Sequence, residues 1–247
     1  MDLSNENLRE KNFHNKLQTR SKGRFENIFY KSLYNLNSDF FNYIKFNCAN
    51  REILDYGCGI GKTAQEIEKY NPKKITGIDI SEVSIEKARK RAKNFKTISD
   101  FSVDNCENSK FKDEQFDLVY GTGILHHLDI KKSLKEIHRI LKMNGNMIFI
   151  EPLGTNPFIN FYRKLTPNSR SEDEHPFVEE DFQLIKDNYK ELQIKYYGFF
   201  TLCFFPFYRN PEKSKFFKLL CTIDQVFFKI KYFRFLAWSV LIIAKKN

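Results

Sequence analysis

Between Asp55 and Thr63 the chain reads Asp-Tyr-Gly-Cys-Gly-Ile-Gly-Lys-Thr, with glycines at 57, 59 and 61. Glycines at alternate positions let a backbone turn tightly and approach a ligand with no Cβ in the way. The run ends in Gly-Lys-Thr, as a triphosphate-binding loop does. That loop also needs a glycine five residues before Gly61, and position 56 is tyrosine. The dinucleotide spacing, Gly-x-Gly-x-x-Gly, is not met either. Two more acids follow at Asp79 and Asp104. A carboxylate at Asp79 can accept both hydroxyls of a ribose, and one at Asp104 can reach an adenine amino group. Three acids with no phosphate-binding cation repel pyrophosphate and suit a ligand that carries positive charge. A second group of chemical side chains follows: His126, His127, Glu151, Arg163, Arg170, Glu174 and His175. Imidazoles exchange protons near neutral pH, and the charged residues around them can orient a substrate.

The first group must be carried by strand ends. "REILDY" reads as a strand and "KTAQEIEKY" as a helix. "KKITGIDI" is a strand, and Ser81 caps the helix "SEVSIEKARKRAKN". "TISDFSV" and "FDLVYG" are strands, "IKKSLKEIHRILK" is a helix stopped by "MNG", and "NMIFIEP" is a buried strand. Such alternation predicts a mostly parallel sheet covered by helices on both faces. In that architecture ligands sit beyond the carboxyl ends of the strands, where the strand order reverses. Asp55 to Gly61, Asp79 and Asp104 all fall there. A short helix over 156–165, the helix "VEEDFQLIKDNY", the strand "LQIKYYGFF" and the strand "LAWSVLIIAKK" complete the order. Apolar positions at Phe25, Ile28, Phe29, Leu33, Phe40, Phe41 and Ile44 predict two further helices before the first strand.

This pattern resembles the class I S-adenosylmethionine-dependent methyltransferases over residues 50–151. The family's acid-x-Gly-x-Gly-x-Gly matches Asp55 to Gly61, its ribose acid Asp79, and its adenine-side acid Asp104. Its fourth-strand motif matches "FDLVYGTGILHHL". The resemblance implies a Rossmann-like, seven-stranded α/β fold. It implies S-adenosylmethionine as cofactor, held by Asp55, Gly57, Cys58, Gly59, Gly61, Asp79, Ile80, Asp104, Asn105 and Gly121. Lys62-Thr63 then begins a helix. The chain divides into an N-terminal helical cap (1–50) and a methyltransferase domain (51–247) with insertions at 152–176 and 201–235.

The second group lies where this fold places the methyl acceptor. His127 or His175 is expected to take the acceptor's proton, with Glu151 beside the transfer site. His126, Arg163, Arg170 and Glu174 are expected to hold the acceptor. "EPLGTNP" and "DEHP" resemble a small-molecule branch of the family. The Asn/Asp-Pro-Pro-Tyr/Phe motif of base-amino methylation is absent after the fourth strand, where "GTGILHH" stands. The "NPF" at Asn156 lies after the fifth strand, and it has a single proline. Neither Cys58 nor Cys106 follows a proline, as a cysteine nucleophile for RNA carbon methylation would. O-methylation of a small or lipid-like acceptor is the expectation. The alternatives are RNA methylation and a silent cofactor-binding or membrane-docking module.

The excess positive charge sits at the chain's ends, where it can meet nucleic acid, anionic lipid or an acidic substrate, or equally reflect a lysine-rich composition alone. Residues 51–200 hold 24 Lys/Arg against 24 Asp/Glu, whereas 201–247 hold 9 against 2. From Tyr196 to Trp238 there are 16 aromatic residues. Phe216, Leu219, Leu220, Ile223, Phe227 and Ile230 form a helical stripe, with lysines elsewhere on the helix. A basic amphipathic helix can lie on an anionic membrane, wall a channel for a greasy substrate, or cover the core as a lid. Five scattered cysteines without a paired motif predict a reduced, cytoplasmic setting and no metal site. The polar start "MDLSNENLREKN" is not a signal peptide, and "FLAWSVLIIA" is too short to span a bilayer. His14 falls in the polar N-terminal tail, and His138 in an amphipathic helix.

Overall fold

The computed structural model describes residues 3–19, 28–166, 171, 173–207 and 210–247. Seven strands form one sheet: β1 (Glu52–Tyr56), β2 (Lys74–Asp79), β3 (Ile98–Val103), β4 (Phe116–Thr122), β5 (Leu141–Pro152), β6 (Glu191–Tyr197) and β7 (Ser239–Lys245). Their order is β3-β2-β1-β4-β5-β7-β6. Only β7 runs antiparallel to its neighbours β5 and β6. β1 pairs with β2 on one side and β4 on the other, so the strand order reverses at β1. The glycine loop leaves the carboxyl end of that strand, at the ligand position of an open parallel sheet.

The helices are α1 (Asn5–Thr19), α2 (Tyr34–Asn47), α3 (Lys62–Ile67), α4 (Glu82–Ala92), α5 (Ile130–Ile140), α6 (Pro157–Leu165), α7 (Glu179–Asn188) and α8 (Lys215–Phe227). Central strands are apolar on both sides because both faces are covered. On one face Leu36, Phe40 and Ile44 of α2 meet Ile53, Ile75, Leu118 and Ile148, with α3 and α4 beside them. On the other, Leu134, Ile137 and Ile140 of α5 and Phe182 and Ile185 of α7 cover Leu54, Val119 and Phe149. Caps fix the helix starts. Ser81 accepts from Ser84 N at 3.1 Å, Asp129 from Lys132 N at 3.1 Å, and Ser214 from Phe217 N at 3.1 Å.

Three local features differ from the sequence reading. Residues 28–33 form a 3-10 turn leading into α2, and Phe25 lies outside the described residues. The helix over "IKKSLKEIHRILK" ends at Ile140, and β5 begins at Leu141 across an irregular stretch, so "MNG" lies inside the strand. The polar start is itself a helix, α1. Ser4 and Asn7 cap it reciprocally: Asn7 N donates to Ser4 Oγ at 3.1 Å, and Ser4 N to Asn7 Oδ1 at 3.2 Å.

The run "FLAWSVLIIA" supplies most of the buried strand β7, between β5 and β6, and no helix among the described residues is long and apolar enough to cross a membrane. The aromatic stretch carries α8, whose inner face is Phe217 and Leu220, with Asp224 buried one turn beyond them. Both Asp224 oxygens accept from the 199–201 turn, including Phe200 N at 2.7 Å and Thr201 Oγ1 at 2.9 Å. The predicted stripe therefore splits. Leu220 turns inward, while Phe216, Leu219, Ile223 and Ile230 remain exposed.

Candidate functional site

The glycine loop is built for close approach. Gly57 has φ +73°, and a Cβ there would lie 2.4 Å from Ile124 Cγ1. Gly59 has φ +50°, and a Cβ there would meet nothing within 4 Å. The loop thus packs on its inner side and faces open space on its outer one. Asp79 holds it from β2: Gly59 N donates to Oδ2 at 2.8 Å and Ser81 N to Oδ1 at 2.9 Å. Cys58 N reaches Ile78 O at 2.8 Å, and the Cys58 side chain is buried against the sheet. Ile80 is half-buried and Gly121 fully buried in β4.

Asp55 lies between Gly77 and Tyr120 in the sheet register. Burial pushes its carboxyl up to about 8, and neighbouring Asp79 pushes in the same direction. Its Oδ2 has no hydrogen-bond donor among the described residues. Tyr120 and the Ala64 backbone only partly offset that burial, so the acid fits a ligand that brings positive charge, and an anionic pyrophosphate would worsen its position. Asp104 shapes the next loop, accepting from Asn105 N at 2.9 Å and Lys110 N at 3.0 Å. Asn105 accepts from Glu107 N at 2.9 Å. The residues fit an adenosyl cofactor with a cationic tail: open glycine backbone, an acid at each of three strand ends, and, among the described residues, no lysine or arginine side chain paired with them.

Across the strand ends, β4 runs into a short 3-10 turn at Leu125–His127. Glu151, fully buried at the end of β5, organises it. Its Oε1 accepts from Ile124 N at 3.1 Å and Leu125 N at 2.9 Å, and its Oε2 stands 2.7 Å from His126 Nδ1. His126 and His127 are both buried, with ring centroids 4.0 Å apart. Burial holds the His127 imidazole below its ordinary range.

α1 closes over this end of the sheet with a polar stripe at helical spacing. Asn7 donates to Glu107 Oε1 at 3.3 Å, and Lys11 pairs with Glu82. Asn15 Oδ1 accepts from Ser81 Oγ at 2.5 Å. Glu10 Oε2 lies 3.2 Å from His127 Nδ1 and 3.5 Å from His14 Nε2. The His14 and His127 rings meet edge-on at 5.3 Å. Glu10 is buried, and the imidazoles of His127 and His14 outweigh its desolvation to hold the carboxyl well below the usual range. His14, Glu10, Lys11 and Asn15 are site residues that the sequence reading missed. The signal was available: 7, 10, 11, 14 and 15 follow the i, i+3, i+4, i+7, i+8 pattern of one helix face. Pattern reading looks for that spacing in apolar residues, and these are polar.

The loop after β5 supplies the rest. Glu174 Oε1 lies 3.9 Å from His127 Nε2. His175 N donates to His126 O at 2.7 Å, but its exposed ring turns to Asp181 Oδ2 at 3.2 Å, at the start of α7. Arg163 Nη1 donates to Leu153 O at 2.7 Å and to Asn160 Oδ1 at 2.8 Å, fastening α6 to β5. Arg170 lies outside the described residues. Asn156 of the "NPF" run caps α6, accepting from Phe158 N at 2.9 Å and Ile159 N at 3.1 Å. The structure thus brings together Glu151, His126, His127 and Glu174, and it directs the His175 ring elsewhere.

Comparison with known proteins places this geometry. Residues 54–149 match the family model of a methyltransferase domain. A demethylmenaquinone methyltransferase from Chlorobaculum tepidum is 34% identical over 103 residues, 41% of each chain. A sterol 24-C-methyltransferase from Aspergillus fumigatus is 32% identical over 112 residues, 44% of this chain and 30% of that one. The chain therefore spans less than half the length of these curated relatives. Among solved structures, the geranyl diphosphate C-methyltransferase from Streptomyces coelicolor, in complex with Mg2+, geranyl diphosphate and S-adenosyl-L-homocysteine, superposes with a TM-score of 0.69 at 12% identity, covering 100% of both chains.

Proposed function

Taking residues 54–149 as a domain of the class I S-adenosylmethionine-dependent methyltransferase family, we propose that this chain methylates a lipid-like small molecule bearing an ionisable hydroxyl. The observation that carries the reading is the buried His126–Glu151 pair across the strand ends from the acid-flanked glycine loop. S-adenosylmethionine, when bound, supplies a methyl group on a sulfonium. Asp55, Asp79 and the loop through Gly57, Gly59 and Gly61 would hold it, with Asp104 and Asn105 shaping the adenine side.

The chain's own part in the chemistry is positioning and proton removal. With Nδ1–H donated to Glu151 Oε2, the His126 ring keeps its Nε2 lone pair free to accept a proton. Glu151 fixes that tautomer and stabilises the imidazolium that forms. We assign the base to His126 rather than to His127 or His175. His127 is engaged by Glu10 and Glu174, and His175 by Asp181. Removing a hydroxyl proton makes either the oxygen or a conjugated carbon nucleophilic. The sterol enzyme carries C-methylation in its name, which supports carbon over the oxygen expected from sequence. Incubation with S-adenosylmethionine and a panel of quinols, sterols and prenyl compounds, followed by mass spectrometry, tests this. Methylation on oxygen would restore the sequence expectation, and no transfer to any hydroxylated apolar acceptor would overturn the reading.

The route for such an acceptor is a membrane surface. On α6, Phe158 is 67% exposed, Phe161 65% and Leu165 66%. Phe216, Leu219 and Val226 of α8 and Tyr232 beyond it are exposed as well. The two patches are linked where Thr155 Oγ1 donates to Phe235 O at 3.0 Å. Lys215, Lys218, Lys229 and Lys231 lie along the same segment, where one of the two acids, Asp224, is buried. Aromatic side chains amid lysines suit an anionic lipid interface. Flotation with anionic vesicles should succeed and decline with salt, and Phe158→Asp with Phe161→Asp should abolish it. Equal flotation of that variant would exclude α6 as the contact.

A further inference from the structure

We propose that Glu10, His14 and His127 bind a zinc-class divalent cation, which fastens α1 across the carboxyl end of the sheet. One ligand atom from each residue lies within 4.8 Å of the others. Glu10 Oε2 is 3.2 Å from His127 Nδ1 and 3.5 Å from His14 Nε2. Two ligands about 2.05 Å from a tetrahedral ion stand about 3.3 Å apart, so these separations leave room for an ion between the atoms. Glu10 is 4% exposed, and its buried Oε2 faces the imidazole nitrogens of His127 and His14. A carboxylate oxygen in that position is costly unless a cation satisfies it. Its other oxygen is fixed by Ser171 Oγ, which orients Oε2 toward the two imidazoles. Ser171 Oγ also stands 3.4 Å from His127 Nδ1.

Two imidazoles and one carboxylate are the donor set of zinc sites that keep a coordination position open. Carboxylate and imidazole nitrogen suit zinc, whereas magnesium and calcium prefer oxygen alone. The far nitrogen of His127 faces Glu174 Oε1 at 3.9 Å, an outer carboxylate of the kind that orients a metal-bound imidazole. The ion would join residues separated by more than a hundred positions, and so bind the N-terminal helix to the turn after β4. Its place beside His127 sets an open coordination position next to the His126–Glu151 pair. The binding claim stands apart from the methyl-transfer reading. Only that last placement gives it a catalytic meaning.

The test uses the full chain stripped of metal with a chelator. Cobalt(II) should add with a stoichiometry of one and give the intense visible absorption of a low-symmetry four- or five-coordinate site, which zinc then displaces. Zinc should also raise the thermal midpoint and protect α1 from proteolysis. His14→Ala and Glu10→Gln should each weaken zinc at least tenfold in calorimetry, while His138→Ala, on α5 outside the cluster, should not. Circular dichroism of the variants separates lost ligands from lost fold. Wild-type protein that takes up neither ion at stoichiometric concentration would overturn the proposal. So would equal zinc affinity in His14→Ala and the wild type.

Discussion

Asp55 is the side chain at which the fold and the proposed cofactor would meet. Its carboxyl, pushed up to about 8 by burial, is mostly protonated in the folded chain at neutral pH and ionised in the unfolded one. A raised acid costs stability progressively as pH climbs from about 4 through the folded value near 8. Asp55→Asn should therefore raise the thermal midpoint at pH 8 and leave it nearly unchanged at pH 4. A cationic cofactor settling beside Asp55 should draw out its proton. Calorimetry of cofactor binding at pH 7 in buffers of different ionisation enthalpy should show proton release, and Asp55→Asn should remove it. His126 and Glu151 separate in the same way. His126→Ala should cut turnover by about 10²–10⁴-fold with affinity for the demethylated cofactor level. Glu151→Ala should also destabilise the fold, by about 1–3 kcal/mol for each buried N–H left without an acceptor, because it strands Ile124 N and Leu125 N. Glu151→Gln keeps an oxygen there and should recover the stability without recovering the turnover.

Among the elements, α1 is unusual in docking through polar groups. Among its described side chains Asn7 and Glu10 are the buried ones, while Leu8 is exposed. Contacts of this kind add little net stability, because both sides give up water to form them. The helix reaches the Asp79 loop through Asn15, which accepts from Ser81 Oγ while Ser81 N donates to Asp79. Deleting residues 1–19 should speed cofactor exchange in stopped-flow measurements while leaving the thermal midpoint within a few degrees. A collapse of the midpoint would show that α1 belongs to the core. The inner face of α8 behaves in the opposite sense, since Asp224 satisfies the 199–201 turn from within.

For the whole molecule, acid stability follows from the α1 cluster. His127 resists protonation in the folded chain, so stability begins to fall as pH drops below the ordinary imidazole value of about 6.5. Glu10, held below its ordinary 4.5, adds a second loss as pH drops through the carboxylate range. Both have the same sign: the unfolded chain binds more protons. Thermal scans from pH 7 to 4 should show a declining midpoint, and His127→Gln should flatten the upper part of the decline.

The sequence by itself determined the sheet and its loops. Alternating strand and helix signals, Ser81 as a cap, and Gly57, Gly59 and Gly61 after an apolar run are local, and the sheet of β1 to β7 follows the predicted order of elements. The acids at Asp55, Asp79 and Asp104 were legible for the same reason: a parallel sheet puts every strand's carboxyl end on one side. Tertiary structure alone decided which histidine meets which carboxylate. Glu10 and His127 are separated by the length of the β1–β4 unit, and their meeting depends on where a polar helix lands. Their residue types carry no periodic apolar signal to show this. The faces of α8 were undecided for a related reason. Phe216, Phe217, Leu219 and Leu220 give apolar groups on both sides of the helix, and only the neighbouring 199–201 turn selects Phe217 and Leu220 for burial.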